Sequence, residues 1–253
     1  IAASIQKVTE EVMIKIARAI RSEYGIKNLC LAGGVALNCV ANGKILQEKI
    51  FDNIWIQPAA GDAGGSLGAA LALWHIEHNN KRIVSLSDDM NGSYLGNEFK
   101  QEEIEKELKI AGAKFETLNY EDLIEKTSEF LSKEKAIGWF QGRMEFGPRA
   151  LGGRSILGDP RSENMQKNLN LKVKYRESFR PFAPSVLRED LPKWFDVDVD
   201  SPYMLLVANI NNSKKIEMTD EQKKLFGIDK LNIKRSEIPA VTHVDYSARV
   251  QTV

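Results

Sequence analysis

The order strand, glycine-rich bend, helix occurs twice near the start of this chain, and it restricts the fold more than any other feature. The apolar run NLCLA is followed by Gly33 and Gly34 and then by a helical segment. The run NIWIQPA is followed by GDAGG and an Ala/Leu-rich helix, with Ser66 placed as its N-cap. Strands that alternate with helices in this way predict an α/β fold with a parallel sheet.

The remaining pattern divides the chain into two parts. Residues 79–98 lack periodicity and are rich in Asn, Ser, Asp and Gly, which is typical of a connector. We therefore predict a first domain over 1–82, a linker over 83–99 and a second domain over 100–253. Other expected elements are helices over 4–24, 35–50, 100–111 and 120–133, strands over 114–118, 136–140 and 201–210, and a polar surface excursion with one short helix over 211–238.

Each glycine-rich bend is a candidate phosphate site. Glycine lets a ligand approach bare backbone, and a helix start offers unpaired N–H groups with a partial positive charge. Gly33, Gly34, Gly64 and Gly65 are the candidates. The alternative is that these glycines only permit tight packing of helix on strand. Asp62, within GDAGG, fits a ligand of a hard divalent metal ion and equally well a turn or cap residue.

A basic block carries the strongest functional signal. Residues 143–180 include 9 basic and 4 acidic residues, although the whole chain has 35 of each sign. Arginine binds phosphate or carboxylate through two parallel hydrogen bonds, and Pro148 with its neighbouring glycines would make the loop arginines converge. We interpret the block as a pocket for a small polyanion; a solvated basic face is the alternative. Its arginines are Arg143, Arg149, Arg154, Arg161, Arg176 and Arg180.

Composition excludes several classes of protein. A net charge of zero argues against a surface built to coat nucleic acid. The sequence contains no run of about 18 uncharged apolar residues, so we expect no membrane partner and a cytoplasmic protein. Cys30 and Cys39 lack the spacing of a zinc site and are expected to be buried thiols, and His75 and His78 are expected to be surface residues.

Five segments, in this order, carry a resemblance to a known family: NLCLAGGVALNCVANGKIL, PAAGDAGGSLGAALALWH, EFGPRALGGRSILGDPR, KYRESFRPFAPSVL and PAVTHVDYSARVQTV. They resemble the ATP-dependent O-carbamoyltransferases, which include nodulation-factor, cephem and aminoglycoside carbamoyltransferases. The resemblance implies a partial actin/sugar-kinase-type (TsaD-like) α/β domain followed by a YrdC-like α/β domain. The sequence departs from the family at Gly153, where Asn is usual, and at Tyr246 and Ser247, where Gly-Thr is common.

The resemblance also implies roles for individual residues. Carbamoyl phosphate and ATP would be bound in the second domain, with Arg149, Lys174 and Arg180 as catalytic residues. Asp62 would bind a divalent metal ion, which we expect to be Mg, Fe or Mn. The remaining expected nucleotide- and substrate-binding residues are Gly33, Gly34, Asn38, Gly64, Gly65, Arg143, Arg154, Arg176, His243, Asp245 and Arg249.

The implied activity is the formation of carbamoyl-adenylate from carbamoyl phosphate and ATP, followed by carbamoyl transfer to a hydroxyl of a small molecule or glycan. The chain begins at Ile1 and lacks the N-terminal histidine pair of the family, so we expect it to be a piece of a longer protein, not fully active by itself. A tRNA threonylcarbamoyl transferase and a non-catalytic nucleotide- or phosphate-binding module are the alternatives. Nucleic acid is not favoured as a partner, and a homodimer stays open.

Overall fold

A computed structural model of the chain describes residues 1–85 and 87–253. Its helices are α1 Ala2–Tyr24, α2 Cys39–Gln47, α3 Ala63–Ala72, α4 Gln101–Ile110, α5 Tyr120–Ser132, α6 Met165–Asn168, α7 Leu191–Trp194, α8 Asp220–Lys223 and α9 Ile228–Leu231. Its strands are β1 Asn28–Leu31, β2 Asn53–Ile56, β3 Ile137–Phe140, β4 Arg154–Leu157, β5 Ser185–Val186, β6 Leu206–Asn209 and β7 Ser247–Thr252. The architecture is mixed α/β with small sheets, which confirms the predicted class at that level.

The repeated order of strand, bend and helix is confirmed at the start of the chain. β1 and β2 pair in parallel, with Leu31 opposite Ile56. The segment expected as one helix over 35–50 is instead divided into a 3₁₀ turn and α2. The division falls at Asn38, whose side chain accepts a hydrogen bond from the N–H of Ala41 (3.1 Å) and so begins a new helix.

The predicted N-cap of α3 is wrong. Asp62 occupies the cap position, although its side chain makes no capping hydrogen bond. Ser66 lies inside the helix, and its hydroxyl donates to the carbonyl of Ala63 at 3.1 Å. A serine within a first turn satisfies its hydroxyl on the preceding backbone, so it does not mark the helix start.

The second half contains an antiparallel pair and a three-stranded sheet. β3 pairs with β4, and β7 lies between β5 and β6, parallel to β5 and antiparallel to β6. α4, α5 and β3 agree with the sequence, whereas the strand expected over 114–118 is wrong because that segment is irregular and mostly exposed. The polar excursion 211–238 carries two short helices and ends in buried residues, Arg235, Ser236 and Ile238 among them.

The two halves of the chain share one apolar core. Ala36 and Ile56 from the first half cluster with Leu151, Tyr203 and Leu206 from the second. Helix α2 packs on β6, where a Cβ on Gly43 would lie 2.3 Å from the carbonyl oxygen of Val207. Only glycine permits that approach of backbone to backbone.

Helix α1 does not bury the row of apolar residues that recurs along it at helical spacing. Its inner face contacts α2 through Ala17 and through buried Glu10, which pairs with Lys44. Ile5 and Val12, which belong to that row, are exposed. In the described ranges no helix combines the length and the apolar character needed to cross a membrane.

Candidate functional site

Five cationic side chains predicted to bind substrate line one cleft. The cleft has a volume of about 750 Å³, which is within the usual size of small-molecule sites. Its wall is built from the loop after β3, the segment after α6 and strand β7, which are distant in sequence. The lining cations are Arg149, Lys174, Arg176, Arg180 and Arg249.

The inner arginines of this cleft are incompletely hydrogen-bonded. The Nε atoms of Arg149 and Arg249 are buried, and within 1–85 and 87–253 neither has a hydrogen-bond partner. Arg149 donates from Nη2 to the carbonyl of Leu37 at a long 3.4 Å. Arg176 donates to Asn170 Oδ1 at 2.6 Å and lies over the ring of Phe182. Buried unpaired donors cost free energy, so a ligand that accepts from them would be stabilised.

Electrostatics at Arg249 show that the positive charges of the cleft repel one another. Burial is the first cause that lowers the pKa of this guanidinium, and repulsion from Arg149 is the next; the contact with Cys39 opposes the shift in part, and Arg176 adds to the repulsion. Asp159 is the one acid among the described lining residues, and Arg161 already binds its carboxylate at 2.7–3.1 Å. The cleft therefore favours a multiply charged anion.

Glu145 is a residue that the sequence analysis missed. It is buried, and its Oε1 accepts hydrogen bonds from the N–H groups of Leu151 (2.7 Å), Gly153 (2.7 Å) and Arg154 (3.2 Å). Burial would raise the pKa of the carboxyl group, but these donors outweigh burial and the pKa is lowered. The signal available in the sequence was a lone acid at the start of an otherwise basic, glycine-rich loop.

Arg143 and Arg154 do not lie among the lining residues of the cleft. Arg154 stacks on Phe140, with 3.4 Å between its guanidinium carbon and the ring centroid, and donates to four backbone carbonyls. Arg143 is exposed, donates to the carbonyl of Gly96 at 3.2 Å and lies 3.5 Å from Glu98. Both side chains bind the protein itself, and their predicted substrate contacts stay predictions.

His243 and Asp245 also lie outside the cleft. Asp245 accepts from the hydroxyl of Ser247 at 2.6 Å, so the Ser247 oxygen accepts from Nδ1 of His243 at 3.0 Å. Burial, opposed in part by Asp245, lowers the pKa of His243. His243 lines a separate pocket of about 580 Å³ beside Arg235. Their predicted role in nucleotide binding stays a prediction.

The structure shows the surroundings of two positions at which this sequence departs from the family that it resembles, Gly153 and Tyr246. A Cβ on Gly153 would lie 2.7 Å from the carbonyl oxygen of Arg143, so glycine fits the closed loop here. Tyr246 has a φ of 62°, in the left-handed region that favours glycine, the residue common at that position in the family.

The glycine bends lie together at one edge of the parallel pair, where β1 and β2 end. Gly33 has a φ of 93° and open space beside it, and Gly34 and Gly65 are open as well. Gly64 differs, because a Cβ there would lie 2.1 Å from the carbonyl oxygen of Ala59. Gly64 is therefore required for packing, whereas the other three leave room for a ligand.

The polar candidates at this edge are Asn38 and Asp62. Asn38 is occupied by capping α2 and by hydrogen bonds with Gln6 in both directions. Asp62 is exposed. In the part of the chain that the structure describes, no three His, Cys, Asp or Glu side chains form a cluster that would hold a metal ion. The described residues thus supply fewer than three such ligands at any one place, and they do not by themselves fit a metal centre.

Fold and cleft define an α/β protein with a cleft lined by five cationic side chains. Comparison with known families makes this specific: the chain belongs to the carbamoyltransferase family. Residues 1–71 match the family model "Carbamoyltransferase N-terminus", and residues 128–253 match "Carbamoyltransferase C-terminus". The resemblance inferred from the five sequence segments is confirmed.

Three relatives with similar sequences are longer proteins. An uncharacterised protein of Synechocystis sp. is 59% identical over the whole chain, which covers 42% of that relative. Nodulation protein NolNO of Sinorhizobium fredii is 40% identical and 34% covered, and nodulation protein NolO of Bradyrhizobium diazoefficiens is 38% identical and 42% covered. The whole chain is matched in each case, so it spans about two-fifths or less of the length of these relatives.

Proposed function

We propose that this chain carries the carbamoyl-activating site of an ATP-dependent O-carbamoyltransferase. The cleft would bind carbamoyl phosphate and ATP and form carbamoyl-adenylate, and the acceptor would be a hydroxyl of a small molecule or glycan. The main support is the convergence of Arg149, Arg176 and Arg249, whose like charges gather around buried, unsatisfied nitrogens. Family membership and the nodulation proteins among the relatives favour carbamoyl chemistry for this anion site.

The proposed reaction has three bond changes. Water cleaves carbamoyl phosphate, so that carbamate and phosphate form. A carbamate oxygen then attacks the α-phosphorus of ATP, and pyrophosphate leaves with the electron pair of the broken P–O bond. Finally an acceptor hydroxyl attacks the carbamoyl carbon, AMP leaves, and the hydroxyl proton is released to solvent or to a base. Carbamoyl-adenylate reacts with water, so enclosure in a cleft would protect it.

The cleft residues would act by position and charge. Arginine stays protonated at working pH, so Arg149, Arg176 and Arg249 would hold phosphate oxygens and neutralise the charge that develops on the leaving pyrophosphate. Lys174 and Arg180, which are exposed, would contact the substrate from the cleft entrance. Loss of one such preorganised contact typically costs about 2.7–4 kcal/mol of transition-state stabilisation.

The three proposed reaction steps do not assign a role to a metal ion, because the described residues do not form a metal site. Asp62 lies with the open glycines Gly33, Gly34 and Gly65 at the carboxyl edge of β1 and β2, the position where parallel sheets bind ligands. We propose this edge as the place of a second nucleotide contact and of carbamoyl transfer. Its acceptor and its metal ligand set are to be tested in the full-length protein.

The test compares two variants in the full-length protein with ATP and carbamoyl phosphate. Arg149→Ala should abolish pyrophosphate release, because it removes an inner cation of the cleft. Asp62→Ala should retain pyrophosphate release and lose transfer to the acceptor. Normal pyrophosphate release by Arg149→Ala would exclude the cleft as the activating site, and loss of both steps in Asp62→Ala would exclude two separate sites.

A further inference from the structure

We propose that Glu145 is a positioning residue of the cleft, which fixes Arg149 relative to Arg249 by closing the loop that carries Arg149. The inference deepens the proposed function, since it concerns the same anion site. Glu145 does not line the cleft, and it would act through the backbone of the loop.

The first observation is that one carboxylate oxygen closes the loop. Oε1 of Glu145 accepts from the backbone of Leu151, Gly153 and Arg154, the far end of the loop that Glu145 begins. The side chain is only 8% exposed. Arg149 lies within this ring, so the carboxylate restricts the backbone that carries it. Hydrogen bonds to an ionised acceptor are about twice as strong as neutral ones.

The second observation is that the same loop is joined to β7. The carbonyl of Leu151 accepts from Gln251 Nε2 at 2.9 Å and from the hydroxyl of Tyr94 at 2.7 Å. Gln251 is buried, and it lies two residues after Arg249, on the same face of the strand. Leu151 therefore binds Glu145 through its N–H and the strand of Arg249 through its carbonyl.

The hydrogen bonds of Leu151 join the backbone segments of Arg149 and Arg249, and the cleft requires such a link because its cations repel each other. Arg149 and Arg249 repel each other, since the charge of Arg149 lowers the pKa of Arg249, and no acid of the described cleft lining is free to hold them together. Without a bound anion, the two side chains stay close because their backbones are linked. Weakening the link at Glu145 would let the arginines separate and would lower affinity for an anion that both bind.

The experiment measures binding of inorganic pyrophosphate to the full-length protein by calorimetry. Glu145→Gln keeps the shape and one acceptor oxygen but removes the charge, and we expect affinity to fall about tenfold. Glu116→Gln is the matched control: this acid pairs with Lys126 on the exposed surface at 2.6 Å, and its loss should leave affinity unchanged.

A double-mutant cycle separates positioning from a general loss of structure. If Glu145 acts through Arg149, Glu145→Gln should lower affinity no further in an Arg149→Ala background. Equal losses in both backgrounds would overturn the inference, as would unchanged affinity in Glu145→Gln. If Glu145→Gln does not fold, Tyr94→Phe removes another bond to Leu151, and its loss of affinity should vanish in the Arg149→Ala background in the same way; a loss that persists there would overturn the inference.

The outcome is distinguishable from failure of the proposed function. A protein that binds pyrophosphate but forms no carbamoyl-adenylate would refute the proposed reaction, while the cycle would still decide the role of Glu145. A wild-type protein that does not bind pyrophosphate would refute both.

Discussion

The cationic cleft and the glycine edge were both predicted from sequence patterns, but the structure supports the two candidate sites to different degrees. In the cleft, five charged side chains from three segments converge, and two of them have buried unsatisfied nitrogens. At the glycine edge, the backbone is open, Asp62 is exposed, and Asn38 is occupied by a helix cap. A site formed by charged side chains can thus be recognised without its ligand, because like charges and unsatisfied donors are gathered there. A site formed by bare backbone cannot be recognised in this way, since open glycines leave no such mark.

The largest expected effect tests whether the cleft binds by gathered charge. Arg249→Ala should lower the rate of pyrophosphate release at least a hundredfold, since it removes a half-buried cation whose Nε is buried and has no partner among the described residues. Arg188→Ala is the matched control, because Arg188 is paired with Asp198 and Asp200 at the surface, and it should change the rate less than about twofold. Steady-state kinetics of pyrophosphate release would measure both. Similar rates for the two variants would remove the distinction between cleft and surface.

The second largest expected effect is on stability at the glycine edge, where two variants distinguish a packing role from contact with a ligand. Gly64→Ala should destabilise the fold by about 1–3 kcal/mol, because the new Cβ meets the backbone of Ala59. Gly65→Ala has open space and lies in α3, so it should be neutral or slightly stabilising, by up to about 1 kcal/mol. Urea unfolding measures stability, and ATP titration measures contact. Reduced ATP affinity in Gly65→Ala without loss of stability would identify a backbone ligand site; unchanged affinity would leave this bend as a packing feature.

The smallest expected effect is the pH dependence of the stability that Glu145 contributes. Burial raises the pKa of Glu145, but hydrogen bonds from backbone N–H groups, its own among them, outweigh burial, so the folded pKa lies below its usual value of 4.5. A depressed carboxyl pKa contributes stability above the unfolded value, and that stability is lost as the pH falls through the folded value. Wild type should therefore melt a few degrees above Glu145→Gln near neutral pH, and the gap should narrow as the pH falls from about 7 to about 3. Thermal melts measure this difference in melting temperature. A difference that does not change with pH would show that the charge of the carboxylate does not hold the loop.

Local signals in the sequence predicted much of the fold. Gly25 ends α1 in the left-handed conformation, and the periodicity of α4 and α5 placed those helices within a residue or two. The strand expected over 114–118 is not formed, because a β-like composition alone does not provide a partner strand. The exposed face of α1 was unforeseen for a related reason: periodicity shows that a helix has an apolar face, not which face meets α2 through Glu10 and Ala17.

The sequence predicted the chemistry of the candidate site, a pocket for an anion, but it did not predict which arginines line that pocket. Arginine density indicated an anion pocket, yet Arg149 lines the cleft while Arg154, five residues later, binds carbonyls and Phe140. That choice depends on the curvature of a loop closed by Glu145, which is a three-dimensional property. Charge counting could not find Glu145 either, since it enters the count as one of the four acids of residues 143–180 and acts through the backbone.

The place of β7 in its sheet has a consequence for biogenesis. This strand is the latest in sequence of the described strands, yet it is the central one of its sheet and carries Arg249 and Gln251. Arg149 meets Arg249 across a separation of a hundred residues, so the two can come together only after nearly all of this stretch has left the ribosome. Contacts of such long range form slowly. The cationic cleft is accordingly completed late in the folding of this stretch, and a chain synthesised only as far as Arg149 lacks its partner guanidinium group Arg249.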